Sequence, residues 1–407
     1  MEHEHLYRSL RLPKRPKGKI VLLVLDGIGD ITSSCSKQLT PLEAARTPQL
    51  DELAKTSVMG RLTPVLPGIT PGSGPAHLGL FGYDPLETQV ARGAIEALGL
   101  GIELQPKDIA ARANFCSIDT KGIIIDRRAG RITSELNKLL CKKLQLIEKI
   151  QETEIIIQPG TSHRFVVVFR GGNIEGPLSD SDPHTEGEPI RKIKPKFSSI
   201  KTNRAVSIVN QFYQKALLLL QEERPANGFL LRGISHTPKI PTFPERFELE
   251  AAVIATYPMY KGLAKLIGMK ALESNHGIEG QFKQYVHSFD AFDYFFIHIK
   301  GTDIAGEDGN FEQKVSVIEE VDKFLPILLK KAPQVLAITG DHSTPVSLKA
   351  HSWHPPPVLL HSPSSGSDKL SRFTEINANY GSLGIFQSKF LIRLMMANAG
   401  LYDKFGA

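Results

Sequence analysis

The sequence has few cysteines and no long apolar run. Its 407 residues include three cysteines, Cys35, Cys116 and Cys141, which are far apart in the chain. An odd, dispersed set argues against a disulfide framework or a thiolate zinc site and fits a reducing compartment. No apolar run is long enough to cross a membrane, and the first residues, with Glu2 and Glu4, lack the apolar core of a signal peptide. We therefore expect a cytoplasmic protein that does not bind membranes.

The sequence also lacks a strong excess of one charge. Its net charge is +6, and its hydrophobic and charged fractions, 41% and 23%, are those of ordinary globular proteins. The basic runs at residues 8–19 and 192–196 have no interleaved aromatic residues, which argues against nucleic-acid binding. A small anionic substrate explains a modest basic balance equally well. This composition is compatible with a homo-oligomer.

Three apolar runs of strand length lead to an aspartate. Open α/β sheets bind ligands at the carboxyl ends of their strands, so folding would bring these carboxylates together. After the second run we expect an acidic loop that contains Glu307 and Asp308. The runs and their aspartates are 20–25 with Asp26, 293–300 with Asp303, and 335–339 with Asp341.

Carboxylates gathered in one place need a cation, because their mutual repulsion would otherwise leave some of them protonated. His342 and His351 add imidazole nitrogens, and such a mixed ligand set suits zinc, manganese or cobalt better than calcium. The pattern predicts a metal site, with two ions as our interpretation. Alternatively, each aspartate is only a helix N-cap and each histidine an ordinary residue. Three similar strand ends make that coincidence much less plausible.

The length and a change in sequence character predict two domains. A helical pattern near residues 311–331 separates two of the apolar runs, which indicates a βαβ unit and a parallel sheet flanked by helices. Residues 104–241 instead mix short strand-like runs with amphipathic helices. We therefore expect an α/β domain formed by residues 1–103 and 242–407, with a smaller α/β domain, 104–241, inserted in it.

The inserted region carries many side chains that can bind anions. Arginines in such number suit phosphate and carboxylate recognition, although any single one is usually a surface charge. Upstream, Ser73 lies between two glycines at the start of a helical pattern. There it can be a nucleophile beside backbone N–H groups that favour phosphate, or a plain N-cap. The candidate side chains of the inserted region include Arg112, Asp126, Arg127, His163, Arg164 and Arg232.

Taken together, the motifs resemble those of the archaeal-type cofactor-independent phosphoglycerate mutases, within the alkaline phosphatase superfamily. The resemblance extends from about residue 18 to about residue 400. Its motifs are VLDG at 24–27, GSGPAH at 72–77, GYDP at 82–85, RGAIEAL at 92–98, DRRAGR at 126–131, KGTD at 300–303 and TGDHSTP at 339–345.

The resemblance implies an alkaline-phosphatase-like α/β core with an inserted substrate domain. It also implies interconversion of 3-phosphoglycerate and 2-phosphoglycerate through a phosphoserine, with two divalent ions (Mn, Co, Zn or Mg) and without 2,3-bisphosphoglycerate. Ser73 would be the nucleophile and would share one ion with Asp26, Asp341 and His342, while Asp303 and His351 would hold the other. Asp126 and His163 would act as general acid and base, and the residues implied in substrate binding are Arg112, Arg127, Arg164, Arg232 and Lys261.

The sequence departs from the family pattern at two positions. Glu307 stands where the family has a histidine ligand, so a metal ligand at this position would be a carboxylate with a harder metal preference. His354 stands where the family tends to have an aspartate, and it could be a ligand, a substrate contact or neither. These departures keep two other functions open, a metal-dependent phosphatase or phosphotransferase and a metal-impaired binding or regulatory protein.

Overall fold

The computed structural model describes residues 4–32, 39–88, 90–105, 107–274 and 277–406. Cys35 lies outside the described residues. None of the helices in the described ranges is long and apolar enough to span a membrane. The strands are β1 Ile20–Leu25, β2 Val58–Thr63, β3 Ile109–Ile118, β4 Ile124–Asp126, β5 Lys149–Ile150, β6 Thr153–Pro159, β7 Arg164–Gly171, β8 Gly228–His236, β9 Ala251–Ala255, β10 Lys270–Ala271, β11 Tyr294–Ile299, β12 Val335–Thr339, β13 Pro357–His361 and β14 Gly384–Gln387.

Helices separate most of these strands along the chain. The α-helices are α1 Glu4–Ser9, α2 Pro41–Ala44, α3 Pro48–Ala54, α4 Ser73–Leu80, α5 Arg92–Gly99, α6 Ser134–Leu144, α7 Ile200–Leu220, α8 Phe243–Phe247, α9 Pro258–Leu266, α10 Gly277–Ser288, α11 Gly301–Asp308, α12 Phe311–Leu329, α13 Glu375–Asn379 and α14 Leu391–Asn398. Short 3₁₀ turns lie at Ala129–Arg131, Phe289–Ala291 and Ser388–Phe390.

The chain divides into two compact units. Unit 1 comprises Met1–Gln89 and Ile240–Ala407, and unit 2 comprises Val90–Lys239. The sequence-based boundaries were residues 104 and 241, so they placed the segment of α5 in the larger domain. In the structure α5 packs on β3, β7 and β8, which makes it part of unit 2.

Unit 1 is built on a mostly parallel sheet whose described strands run in the order β10-β9-β11-β1-β12-β13-β2-β14. Strands β9, β11, β1 and β12 are parallel neighbours, and β13 runs antiparallel to both β12 and β2. All six residues of β1 are buried, as expected for a central parallel strand covered on both faces. Helices α10 and α12 pack in the core on this sheet, so the predicted α/β class is confirmed.

Residues 301–308 form helix α11 and not the acidic loop expected from the sequence. Asp303 lies in the first turn, where the helix dipole stabilises a negative charge. Gly309 ends the helix in the left-handed conformation, with φ of 70°, which glycine adopts without strain. The helix places Asp303 and Glu307 one turn apart, on the same face.

Unit 2 is built on an antiparallel sheet in the order β4-β3-β7-β6-β5. Strand β8 also pairs with β3, on the side opposite β7. Alternate residues of β3 and β7 belong to different hydrophobic clusters. Phe115 and Phe165 pack toward α7. Ala110 and Val166 pack with Ala97 of α5. Cys116 and Cys141 are buried free thiols in this unit, and burial raises the pKa of each to about 12. They are therefore protonated at neutral pH.

Candidate active site

The ends of β1, β11 and β12 bring the predicted ligands of unit 1 together. Leu25 pairs with Ile299 and Val24 pairs with Thr339, so the three parallel strands end at nearly the same level. Two groups of side chains with metal-ligating atoms follow, and within each group these atoms lie within 4.8 Å of one another. The first group is Asp26, Asp341 and His342, and the second is Asp303, His342 and His351.

The first group is buried, and its polar atoms face one another. His342 Nε2 lies 3.1 Å from Asp341 Oδ2 and 3.5 Å from Asp26 Oδ1. None of these three atoms has a hydrogen-bond partner in the described part of the chain. Two ligands, each about 2.1 Å from one ion, would lie about 3.0–3.4 Å apart in octahedral or tetrahedral geometry. The spacing and the unpartnered atoms therefore fit a divalent metal ion.

The charges of this group are strongly coupled. Burial and Asp341 would raise the pKa of Asp26, but Lys300 and His298 outweigh them and bring it to about 2. Burial would lower the pKa of His342, but Asp341 and the other carboxylates raise it to about 9. A metal ion at His342 must therefore displace a proton, so its affinity should decrease in acid.

The second group has an ordered shell of hydrogen bonds. His351 Nδ1 donates to the carbonyl oxygen of Pro71 at 3.0 Å, which leaves Nε2 on the side of Asp303 Oδ1, 3.5 Å away. Thr344 Oγ1 donates to Asp303 Oδ1 at 2.6 Å. The rings of His342 and His351 are stacked with centroids 3.7 Å apart. Such outer contacts fix the imidazole tautomer that a metal needs.

Glu307 and His354 do not join either group of ligating atoms. Glu307 Oε1 lies 3.8 Å from His351 Nε2, at the exposed side of the second group, and its side chain is 55% exposed. His354 instead stacks on Trp353 at 4.1 Å, and its Nδ1 lies 3.1 Å from Ser352 Oγ. The His354 ring therefore contacts neighbouring residues of its own loop.

Ser73 is the first residue of α4. Gly72 occupies the N-cap position, so the alternative in which Ser73 is only the N-cap is wrong. The Ser73 carbonyl accepts a hydrogen bond from His77 Nδ1 at 2.8 Å, and the same nitrogen lies 3.2 Å from Asp341 Oδ2. The hydroxyl of Tyr260 is a neighbour of the Ser73 side chain. These contacts bring the half-buried serine beside the first group.

Three residues of this site have no role assigned from the sequence: His298 and Lys314, which are buried, and Lys300, which is partly buried. His298 lies in β11, and its Nε2 is 3.0 Å from Asp26 Oδ2. Lys300 Nζ donates to Asp26 Oδ2 at 2.9 Å and to Asp303 Oδ2 at 2.5 Å. The ammonium group of Lys300 therefore contacts a carboxylate of the first group and one of the second. Lys314 Nζ donates to Asp30 Oδ2 and to the Thr344 carbonyl, each at 2.9 Å.

Two of these residues carry a signal in the sequence. His298 interrupts an otherwise apolar strand, where a polar side chain must find a buried partner. Lys314 falls on the apolar stripe of α12, three and four residues before the buried Val317 and Ile318. A lysine at such a position must either be paired or reach the surface.

Unit 2 gathers the predicted anion-binding residues on the face of its sheet that α5 covers. Arg112 pairs with Arg232 across β3 and β8, and Asn114 pairs with Arg164 across β3 and β7. Directly opposed residues share one face of a sheet, so the three arginines lie together. Glu96 of α5 lies 3.6 Å from Arg112 Nη1.

His163 lies beside this arginine cluster and is 5% exposed. Burial lowers its pKa to about 4, and the charges of Arg164, Arg112, Arg128 and Arg131 contribute. The last two arginines were not among the predicted site residues. At neutral pH the imidazole is therefore neutral in a positively charged surrounding that suits an anion.

Asp182, missing from the predicted site, orients two of the predicted arginines. Arg127 binds it through Nε at 3.1 Å and Nη2 at 2.7 Å, and Arg232 Nε lies 3.6 Å away. Asp126 has a different environment, because its carboxylate accepts the backbone N–H groups of Arg128 at 2.7 Å and Gly130 at 2.6 Å. A role for Asp126 in proton transfer stays a prediction.

Lys261 lies in unit 1, on α9, and does not belong to the arginine cluster. Its Nζ donates to Glu273 Oε2 at 2.8 Å, and its side chain is 15% exposed. Its neighbour Tyr260 contacts the first group of ligating atoms.

Comparisons with known proteins place the sequence beside one enzyme family. The family model described as 2,3-bisphosphoglycerate-independent phosphoglycerate mutase matches residues 54–227. A probable enzyme of that name from Thermosipho africanus is 48% identical over 96% of both chains. One from Aquifex aeolicus is 47% identical over 97% of this chain and 98% of its own.

Solved structures show the same fold. A Pyrococcus horikoshii protein superimposes with a TM-score of 0.82 at 29% identity, over 96% of this chain and all of its own. The cofactor-independent phosphoglycerate mutase of Thermoplasma acidophilum gives a TM-score of 0.70 at 29% identity, over 94% of this chain and all of its own.

Proposed function

Because the chain belongs to the 2,3-bisphosphoglycerate-independent phosphoglycerate mutases, we propose that it interconverts 3-phosphoglycerate and 2-phosphoglycerate through a phosphoserine at Ser73. The observation that carries the residue assignment is the convergence of unpartnered, buried ligand atoms beside this serine. Asp26, Asp341 and His342 would hold one divalent ion, and Asp303 and His351 the other, with His342 close to both. Glu307 would complete the second site.

Bound divalent ions would supply Lewis acidity, which lowers the pKa of a coordinated hydroxyl and neutralises phosphoryl charge. In this proposal Ser73 Oγ loses its proton and attacks phosphorus, and the bond between phosphorus and the glycerate oxygen breaks. The released glycerate oxygen takes up a proton. The other hydroxyl of glycerate then loses a proton and receives the phosphoryl group, while Ser73 Oγ takes up a proton again, so the net reaction needs no water.

The protein's own residues would do three things in this reaction. Lys300 and Lys261 would provide positive charge for the transferring group, as phosphoryl transfer requires. The arginine cluster of unit 2 and Arg127 would bind the carboxylate or phosphate of the substrate. His163 would exchange the proton with the glycerate hydroxyls, because its neutral imidazole can accept one.

The nature of the ions belongs to the same proposal. A carboxylate at Glu307 in place of an imidazole favours manganese or magnesium over zinc. A cytoplasmic location and a homo-oligomer remain predictions. The phosphatase alternative is not favoured, since the relatives carry the name of the mutase.

The test is turnover of 3-phosphoglycerate by metal-stripped protein resupplied separately with Mn, Co, Zn or Mg, coupled to enolase, without bisphosphoglycerate. Free phosphate is measured in parallel. We expect metal-dependent 2-phosphoglycerate that disappears in Ser73→Ala. Phosphate release without 2-phosphoglycerate would contradict the mutase and indicate a phosphatase, and neither product with any ion would indicate an impaired site.

A further inference from the structure

The hydroxyl of Tyr260 lies between the candidate nucleophile and a candidate metal ligand. Tyr260 is in α9 and is 1% exposed. Its hydroxyl donates to Asp26 Oδ2, accepts from Lys300 Nζ at 3.1 Å, and neighbours the Ser73 side chain. The ring itself is held between His77, at 4.5 Å, and His298, at 3.8 Å, measured between centroids.

The two carboxylate oxygens of Asp26 differ in their hydrogen-bond donors. Oδ2 receives hydrogen bonds from Tyr260, from His298 Nε2 at 3.0 Å and from Lys300 Nζ at 2.9 Å. Oδ1 is buried and has no hydrogen-bond partner in the described ranges, and it faces His342 Nε2 at 3.5 Å. A carboxylate with one oxygen saturated by three donors can present only the other one to an ion.

We propose that Tyr260 is a positioning residue that makes Asp26 bind its metal ion through Oδ1 alone. This inference rests on the metal site of the proposed function. The hydroxyl contacts both the Asp26 carboxylate and Lys300, so it fixes the placement of these two groups. Hydrogen bonds to a metal-binding carboxylate typically change metal affinity or activity by about 10–100-fold when they are removed.

The test variant is Tyr260→Phe, which removes the hydroxyl and keeps the ring. Its matched control is Tyr285→Phe, because Tyr285 is also a buried tyrosine of unit 1 and its hydroxyl has no hydrogen-bond partner among the described residues. Manganese binding to metal-stripped protein is measured by isothermal titration calorimetry, and steady-state kinetics are measured on manganese-saturated enzyme.

We expect Tyr260→Phe to weaken binding at one manganese site about 10–100-fold and to lower kcat more than it raises KM. The control should bind manganese like the wild type. Equal manganese affinity in Tyr260→Phe, the control and the wild type would overturn the proposal. A Tyr260→Phe variant that fails to fold would also overturn it, since the hydroxyl would then have a general structural role.

The metal site and the role of Tyr260 are tested separately by these measurements. If wild-type protein binds no manganese, cobalt, zinc or magnesium, the proposed metal site itself is wrong. If the wild type binds the ions and turns over phosphoglycerate while Tyr260→Phe is unchanged in both respects, only the role of Tyr260 is wrong.

Discussion

Replacing Glu375 by glutamine should make unit 1 more stable at alkaline pH. Glu375 is buried at the start of α13, where Oε1 accepts the Asp30 N–H at 3.1 Å and Oε2 accepts the Thr40 hydroxyl at 2.7 Å. Burial raises the pKa of Glu375 from 4.5 to about 7, although the Thr40 hydrogen bond opposes the change. The folded chain therefore keeps a proton on Glu375 that the unfolded chain has lost.

The sign and size of this change in the free energy of unfolding follow from proton linkage. Because the folded state binds more protons between pH 4.5 and about 7, the free energy of unfolding decreases as pH rises through this window. The difference between the two pKa values, at about 1.36 kcal/mol per pH unit, amounts to roughly 3 kcal/mol. Glutamine does not titrate, and it can accept from Asp30 and donate to Thr40.

Urea unfolding at several pH values between 4 and 9 measures this effect. The chain has one tryptophan, Trp353, which lies in unit 1, so its fluorescence follows that unit. The stability of Glu375→Gln relative to the wild type should rise by roughly 3 kcal/mol from the acid to the alkaline end. Glu320→Gln, on the exposed side of α12, controls for loss of a surface carboxylate. A difference for Glu375→Gln that is constant across this range would show that folding does not raise the pKa of Glu375.

Three predictions concern the active site. Glu307→His should shift the metal preference toward zinc or cobalt and retain activity, because imidazole is the softer ligand, and an unchanged metal profile would show that Glu307 is not a ligand. Asp182→Asn should raise KM about tenfold or more with less effect on kcat, since Arg127 and Arg232 lose their charged partner, and unchanged steady-state kinetics would contradict that role. Binding of phosphoglycerate should raise the pKa of His163 from about 4, because the anion offsets the surrounding arginine charges, and an NMR titration that shows no rise would count against this placement.

The convergence of the candidate ligands at the strand ends was predictable because the same local pattern occurs three times. Asp26, Asp303 and Asp341 each follow an apolar run, and parallel strands end at one edge of the sheet. Helix α11 was not predicted, because its residues, with two glycines, have weak helix propensity and no side-chain cap.

The support around these ligands could not be predicted from local pattern. Asp26 and His298 are 272 residues apart in sequence, and Tyr260 and Asp26 are 234 residues apart. Which donors reach one carboxylate oxygen depends on how α9, which packs on β9 and β10, places Tyr260 beside His298 of β11, and no short motif encodes this packing. Asp182 escaped for the same reason, since its partner Arg127 lies 55 residues away.

The covalent state of Ser73 during turnover shows whether the reaction proceeds through a phosphoserine. Metal-loaded protein is mixed with 3-phosphoglycerate, quenched in acid within the first turnovers, digested and examined by peptide mass spectrometry. We expect phosphate on the peptide that contains Ser73, at that residue, and none in Ser73→Ala. Turnover with phosphate on another residue, or with full mutase activity in Ser73→Ala, would contradict it.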